Sequence, residues 1–422
     1  MKDFNKKEMP IQGFAGFGGG AASLAFRSGE SGYPMDSVWD SNGQMIWAEE
    51  DNDDDDYYLL STGNDAGGTW SAPTNITSNN TYTAAIGDGD GDKNHIVPMS
   101  KNRFMYVQRF QAWAVMFDVT TTSSANDTIT YRAKLQLPSG YNSPTSPSCC
   151  AIDSTKVFNA HTGVAFTVRY NDTTTLVNGA LTSGVTTGAA AYQASALKVP
   201  ESDYVLNFML DAAQLFNVSG NTPSIETTLS TLVSGGFGTT LDQYYTASYT
   251  HEKDHFVLWT RGGYSVVKVT GTSLSVTASA VQASDAVWSG WANGGPAFSN
   301  GNSGVNPVSA YIGNGFIVIR DTGPTENDAK IKIYEFFTNG LNTAPNQRAA
   351  YTCSPNIGNF YVAPLYNQDF GGDYTYFALL GDVKQQLLRL TNSNGLVTEV
   401  ADVAILPQST NHEVGNSLYT LS

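Results

Sequence analysis

Apolar residues in this chain come in short runs bounded by glycine, asparagine, serine and threonine, and no window keeps the 3.6-residue recurrence of an amphipathic helix. The clearest runs are QMIWA (44–48), RFMYV (103–107), KVFNA (156–160), YVLNF (204–208), HFVLW (255–259), GFIVI (315–319) and YTYFA (374–378). They recur every roughly 50 to 60 residues, near or above the length of familiar propeller repeats. Each reads as the second strand of a four-strand unit. The unit at 245–280 is the cleanest: strands over 245–250 and 255–260, a tight loop at Gly262-Gly263, a strand over 264–270, a turn at Gly271-Thr272, and a strand over 273–280. Seven such units fill residues 36–406. The pattern predicts an all-β chain, a seven-bladed β-propeller of four-stranded antiparallel blades. A pair of β-sandwiches is the alternative, and evenly spaced units fit it poorly.

Parity sorts the connections. In a four-stranded meander, the second-to-third loops and the connections between blades share one face, and the first-to-second and third-to-fourth loops share the other. The first face is expected to carry Asp51–Asp56, Asp88-Gly89-Asp90-Gly91-Asp92 and the long connection 284–304. Residues 1–35 do not read as a blade: Lys2, Lys6 and Lys7 precede PIQGFAGFGGGAASLAF, in which glycine alternates with apolar residues. Glycine-rich runs resist ordering alone. The segment is therefore expected to be a docking arm, anchored on a partner through Phe14, Phe17 and Phe26, or else packed along its own propeller. Residues 407–422 form a closing strand of the first blade or a tail.

Only 14% of the 422 residues are charged, which suits short strands and many turns. The net charge of −16 argues against nucleic acid as a partner, because phosphate binding needs clustered lysine and arginine. The three cysteines, Cys149, Cys150 and Cys353, are no disulfide framework and have no metal-binding spacing, so burial as small apolar side chains is expected. The N-terminus lacks the apolar core of a secretory signal, and no apolar stretch is long enough to span a bilayer. Sequons such as Asn75-Ile76-Thr77 and Asn171-Asp172-Thr173 then read as incidental.

Within GNDAGGTW, the residues Asp65, Gly67, Thr69 and Trp70 match the D-x-G-x-T-W core of the Asp-box, and Gly63 stands where that motif usually has serine. The carboxylate closes the turn on backbone N–H groups, the glycine gives the φ > 0 position and the tryptophan packs over the hairpin. This segment resembles the blade turns of sialidase-like propellers. That resemblance implies a blade; sialidase chemistry would also need three arginines on the substrate carboxylate and a Tyr/Glu pair. Arg27 lies in Ala25-Phe26-Arg27-Ser28, which departs from the Phe/Tyr-Arg-Ile-Pro segment of those enzymes. His251 and His255 have i, i+4 spacing in a strand–turn–strand context, not on one helix face. No catalytic residues are therefore assigned, and the chain is not expected to be an enzyme.

Three further features concern binding. Asp88, Asp90 and Asp92 have the spacing that wraps Ca²⁺ but lack a distal bidentate glutamate, so they form a solvated turn or a structural Ca²⁺ site completed from elsewhere. No cofactor is required. Trp288, Trp291 and Phe298 in the glycine-rich connection 284–304 make either a platform for glycan or protein, or a plug over the propeller mouth. Finally, a glycine/phenylalanine-rich arm before a threonine/asparagine-rich propeller resembles the layout of virion structural proteins of tailed bacteriophages. That resemblance implies a multi-copy fibre, spike or decoration protein, made in the host cytoplasm and localised to the virion. Residues 1–30 would dock on capsid or tail protein, and the propeller would contact host surface glycans. The alternatives are a sialidase-like glycan hydrolase and a soluble lectin-like module.

Overall fold

A computed structural model describes residues 33–39, 45–50, 57–61, 74–75, 95–100, 103–108, 113–120, 128–138, 148–161, 163–171, 175–185, 195–209, 212–233, 245–250, 252–260, 263–281, 309–320, 330–335, 346–353, 360–364, 373–381 and 384–404. All regular structure among them is β. The first sheet holds β1 (Tyr33–Trp39), β2 (Met45–Glu50), β3 (Tyr57–Ser61) and β4 (Thr74–Asn75). The second holds β5 (His95–Ser100), β6 (Arg103–Gln108), β7 (Trp113–Thr120) and β8 (Thr128–Gln136). The third holds β9 (Ser148–Asp153), β10 (Lys156–His161), β11 (Val164–Asn171), β12 (Thr175–Asn178) and β13 (Thr182–Ser183). The fourth holds β14 (Ser195–Lys198), β15 (Tyr204–Met209), β16 (Ala212–Asn217) and β17 (Ser224–Leu229). The fifth holds β18 (Tyr245–Tyr249), β19 (His255–Thr260), β20 (Gly263–Thr270) and β21 (Ser273–Val281). The sixth holds β22 (Ser309–Gly313), β23 (Phe316–Arg320), β24 (Lys330–Glu335) and β25 (Asn346–Thr352). The seventh holds β26 (Phe360–Pro364), β27 (Tyr374–Gly381), β28 (Lys384–Thr391) and β29 (Leu396–Ala404).

Every sheet follows an antiparallel meander in chain order, with β13 of the third sheet pairing back on β11, and each draws its strands from one continuous stretch. The seven runs singled out from the sequence all fall on second strands. The first strands carry the association between sheets: β1 packs on β5, β5 on β9, β9 on β14, β14 on β18, β18 on β22 and β22 on β26, and β26 returns to β1. The sheets thus stand side by side around a ring that closes on itself.

This arrangement explains why period-two alternation is faint. A sheet with a neighbour on each side buries both faces, so its inner strands read as continuous apolar runs. β16 has five consecutive buried residues and β24 has four. The outer strand β17 instead alternates exposed and half-buried positions. Successive residues serve opposite interfaces. Cys149, Val157, Phe166 and Val168 pack toward the second sheet, while Cys150, Phe158, Ala160 and Ala165 pack toward the fourth. The adjacent cysteines therefore point to opposite faces of β9, and all three cysteines are buried free thiols. Burial pushes the Cys150 thiol up to about 12.

Two details differ from the sequence expectation. The first strand starts at Tyr33, three residues inside the segment read as an arm. The third sheet has a fifth strand, because its outer edge is broken: Gly179 ends β12 hard against the fourth sheet, and the chain rejoins β11 opposite Val164 and Ala165 as β13. A repeating device also had no sequence signal. A register shift interrupts the third-to-fourth strand pairing at Met116/Phe117, Leu215/Phe216, Val266/Val267, Ile333/Tyr334 and Leu387/Leu388. A bulge there sharpens the twist toward the outer edge.

Candidate functional site

A cleft opens among the described residues at the turn end of the third, fourth and fifth sheets. It has a volume of about 580 Å³ and is lined by Ile152, Lys198, Pro200, Glu201, Ser202, Asp203 and Lys253. Ile152 comes from β9, Lys198 ends β14, residues 200–203 form the β14–β15 turn, and Lys253 sits in the turn before β19.

Local hydrogen bonds hold this rim. Lys198 Nζ donates to the carbonyl of Val199 at 3.1 Å and to that of Ser202. Ser202 Oγ donates to the Val199 carbonyl at 2.9 Å and accepts the Tyr204 N–H at 3.1 Å. Tyr249 Oη reaches across from β18 to the Lys198 carbonyl at 3.1 Å. Glu201 takes a left-handed φ of 54°, uncommon for a residue with a side chain. Its carboxylate pairs with Lys253 Nζ across the mouth, and both side chains are mostly exposed.

Lys198 is the unusual group. Burial pulls its ammonium below the ordinary lysine range, and Cys150, Asp203 and Asp153 offset this in part. Its bonds go to backbone carbonyls, and no described carboxylate lies within ion-pair distance of it.

A recurrent backbone clasp shapes these turns. In four of the described sheets a residue beside the end of the third strand donates to the carbonyl just before the second strand: Tyr170 to Thr155 at 2.7 Å, Val218 to Asp203 at 2.8 Å, Val269 to Asp254 at 2.8 Å, and Asn392 to Asp373 at 2.9 Å. Three of the four acceptors are aspartates directly before Tyr204, His255 and Tyr374. This Asp-aromatic repeat is a signal that sequence reading passed over.

The other polar groups near strand ends act as joints. Arg103 binds Asp118 through Nε at 2.7 Å and Nη2 at 3.2 Å, Arg132 adds a 2.8 Å contact to the same carboxylate, and the Arg103 guanidinium lies 4.9 Å from the Tyr170 ring centre in the next sheet. His255 opens β19, with Nδ1 2.6 Å from Asp254 Oδ1, so the strand–turn–strand context expected of it holds.

The sequence-derived candidates are not among these residues. Phe14, Phe17 and Phe26, the Asp-box residues Asp65, Gly67, Thr69 and Trp70, the acidic Asp88, Asp90 and Asp92, and the aromatic Trp288, Trp291 and Phe298 all lie outside the described residues. Among the described residues, no group of three or more His, Cys, Asp or Glu side chains is placed to hold a metal ion.

No protein-family model matches the chain, and no curated protein matches it. Solved structures do. Chaetomium thermophilum Sqt1, solved bound to the N-terminus of the ribosomal protein L10, aligns over 90% of this chain and 90% of its own with a TM-score of 0.52 at 12% identity. Kluyveromyces lactis Hsv2 aligns over 88% of this chain and 99% of its own, with a TM-score of 0.47 at 7% identity. At such identity the Sqt1 likeness speaks for the fold alone, and it agrees with the closed ring of meanders: the chain is an all-β propeller.

Proposed function

We propose that this chain is a seven-bladed propeller serving as a structural and docking module of a tailed-phage virion, a fibre, spike or decoration protein rather than an enzyme. Residues 1–30 hold it to capsid or tail protein through Phe14, Phe17 and Phe26, and the propeller is displayed in many copies toward host surface glycans. The observation that carries this reading is how the ring is built. Its described strands run from 33 to 404, and the first sheet takes all four of its described strands from 33–75. The described strands complete the first sheet without drawing on residues 1–30, which supports assigning those residues to a partner. The reading needs no cofactor; a structural Ca²⁺ on Asp88, Asp90 and Asp92 is compatible with it.

Deleting residues 2–30 tests the proposal. The truncated chain should keep its β circular dichroism and its unfolding midpoint but no longer be incorporated into virions assembled beside the full-length chain. Equal incorporation of the two would refute the anchoring role.

A further inference from the structure

We propose that the cleft between the third, fourth and fifth sheets binds a ligand bearing a single carboxylate, with Lys198 as its fixed counter-ion and Lys253 as a movable second one. This inference does not depend on the virion reading, and it concerns residues to which that reading gives no task.

Four charged side chains line the cleft. Two of them, Lys253 and Glu201, already satisfy each other across its mouth. Asp203 is exposed at the rim, where water solvates it. Lys198 alone is partly withdrawn from water with no described carboxylate in ion-pair contact, and Asp203 and Asp153 act on it only from beyond that distance. Its two carbonyl partners use two of three ammonium hydrogens and leave the net positive charge in place. A partly desolvated cation with no described carboxylate in ion-pair contact favours an anion that can make one, and its depressed basicity points the same way.

Size and wall chemistry narrow the ligand. A volume of about 580 Å³ exceeds what a bare ion needs and falls in the range of small-molecule sites. Ile152 and Pro200 offer apolar surface to a carbon skeleton. The carboxylates of Glu201 and Asp203 at the rim disfavour multiply charged anions, so a monocarboxylate is preferred over phosphate. When the ligand enters, Lys253 exchanges Glu201 for the new carboxylate. That step is cheap because an exposed ion pair contributes little.

A carboxylate of this kind is found on an acidic sugar or at a peptide chain end, and paired probes distinguish the two. Calorimetric titration of the full chain would compare methyl glucuronide with neutral methyl glucoside, and an acetylated glycine tripeptide with a free carboxyl end with its amidated form. The acid member of at least one pair should bind about tenfold to a hundredfold more tightly than its neutral partner, the effect of one charge-assisted hydrogen bond set. The pair that discriminates identifies the source. Lys198→Met should abolish that difference, and Lys253→Ala should reduce affinity by about two- to fivefold. Equal affinities within both pairs, no binding by any probe, or inorganic phosphate binding as tightly as the better acid would each overturn the proposal. The probe comparison on the unmodified chain stands even if Lys198→Met fails to fold.

Discussion

The joint between the third and fourth sheets and the joint between the fifth and sixth solve the same packing problem by different means. The first is drawn tight on its outer side by backbone approach. A Cβ on Gly179 would lie 1.8 Å from the Asn221 carbonyl oxygen, Thr167 Oγ1 donates to that same oxygen, and Lys156 Nζ donates to the Val218 carbonyl at 2.6 Å. The second is filled by rings. Trp259 packs between Tyr264 of its own sheet, with centroids 5.7 Å apart, and Tyr334 of the next, 5.4 Å away. Sheets fanned around a ring diverge outward. The gap between them must either be filled with large side chains or be closed by bringing a loop of one sheet onto the next. The sixth-to-seventh joint repeats the loop solution: Arg348 donates to the carbonyls of Asn392 at 3.1 Å and Ser393 at 2.5 Å, and a Cβ on Gly395 would fall 2.4 Å from the Arg348 carbonyl oxygen.

Emptying the ring-filled joint should have the largest effect. Trp259 is 2% exposed, and Trp259→Ala should cost about 3–5 kcal/mol of stability through lost burial and the cavity left behind. Urea unfolding should show a lower midpoint at an unchanged slope. Gly179→Ala comes next, at about 1–3 kcal/mol, because the new methyl group meets backbone and the two sheets must part to admit it. Gly220→Ala in the facing loop is the control: its Cβ would sit 3.7 Å from the nearest atom, and it should leave the midpoint nearly unchanged. If Gly179→Ala were as mild as Gly220→Ala, the account of the loop-closed joint would fail. Thr167→Val keeps the shape and removes one hydrogen bond, with an expected loss of about 1 kcal/mol.

These two joints were not equally legible. The strand HFVLW at 255–259 stands out because a strand buried on both faces is a continuous apolar run between turn signals, and β19 begins at the expected His255. The loop-closed joint gave no such sign. Gly179 reads as any turn glycine until Asn221, 42 residues on, is seen against it. Outer strands were similarly hard to see: β4 is two residues long, and β12 and β13 are fragments of one broken edge. The cleft was invisible for the same reason. Lys198, Asp203 and Lys253 are common surface residue types, and only the radial stacking of three hairpins brings them together. The Asp-aromatic pairs at 203–204, 254–255 and 373–374 could have marked the turns that shape it.

The smallest effect separates the two regions by pH. Lys156 and His255 open the second strands of the third and fifth sheets, and the clasp onto the preceding carbonyl is the same in both. Lys156 reaches outward to the fourth sheet, whereas His255 turns back onto Asp254. Partial burial raises the Asp254 carboxyl, but the His255 hydrogen bond and the charges of His255 and Lys268 outweigh it and hold the group below the usual aspartate range. A carboxylate held low in the folded state contributes stability above its unfolded value of about 3.9 and loses it as pH falls through the lower folded value. Asp254→Asn should therefore cost roughly 0.5 kcal/mol near neutral pH, since the side chain is 44% exposed and solvent screens the pair. The loss should shrink as pH falls below the ordinary aspartate range, so the variant's urea midpoint should fall less steeply with acid than that of the unmodified chain. Lys156→Met removes a joint between sheets and leaves the carboxylate in place, so it should lower the whole curve without changing its acid slope. Parallel acid slopes for all three proteins would mean that the pair at 254–255 contributes no more than any surface charge, and that the two regions differ only in how their outer gap is closed.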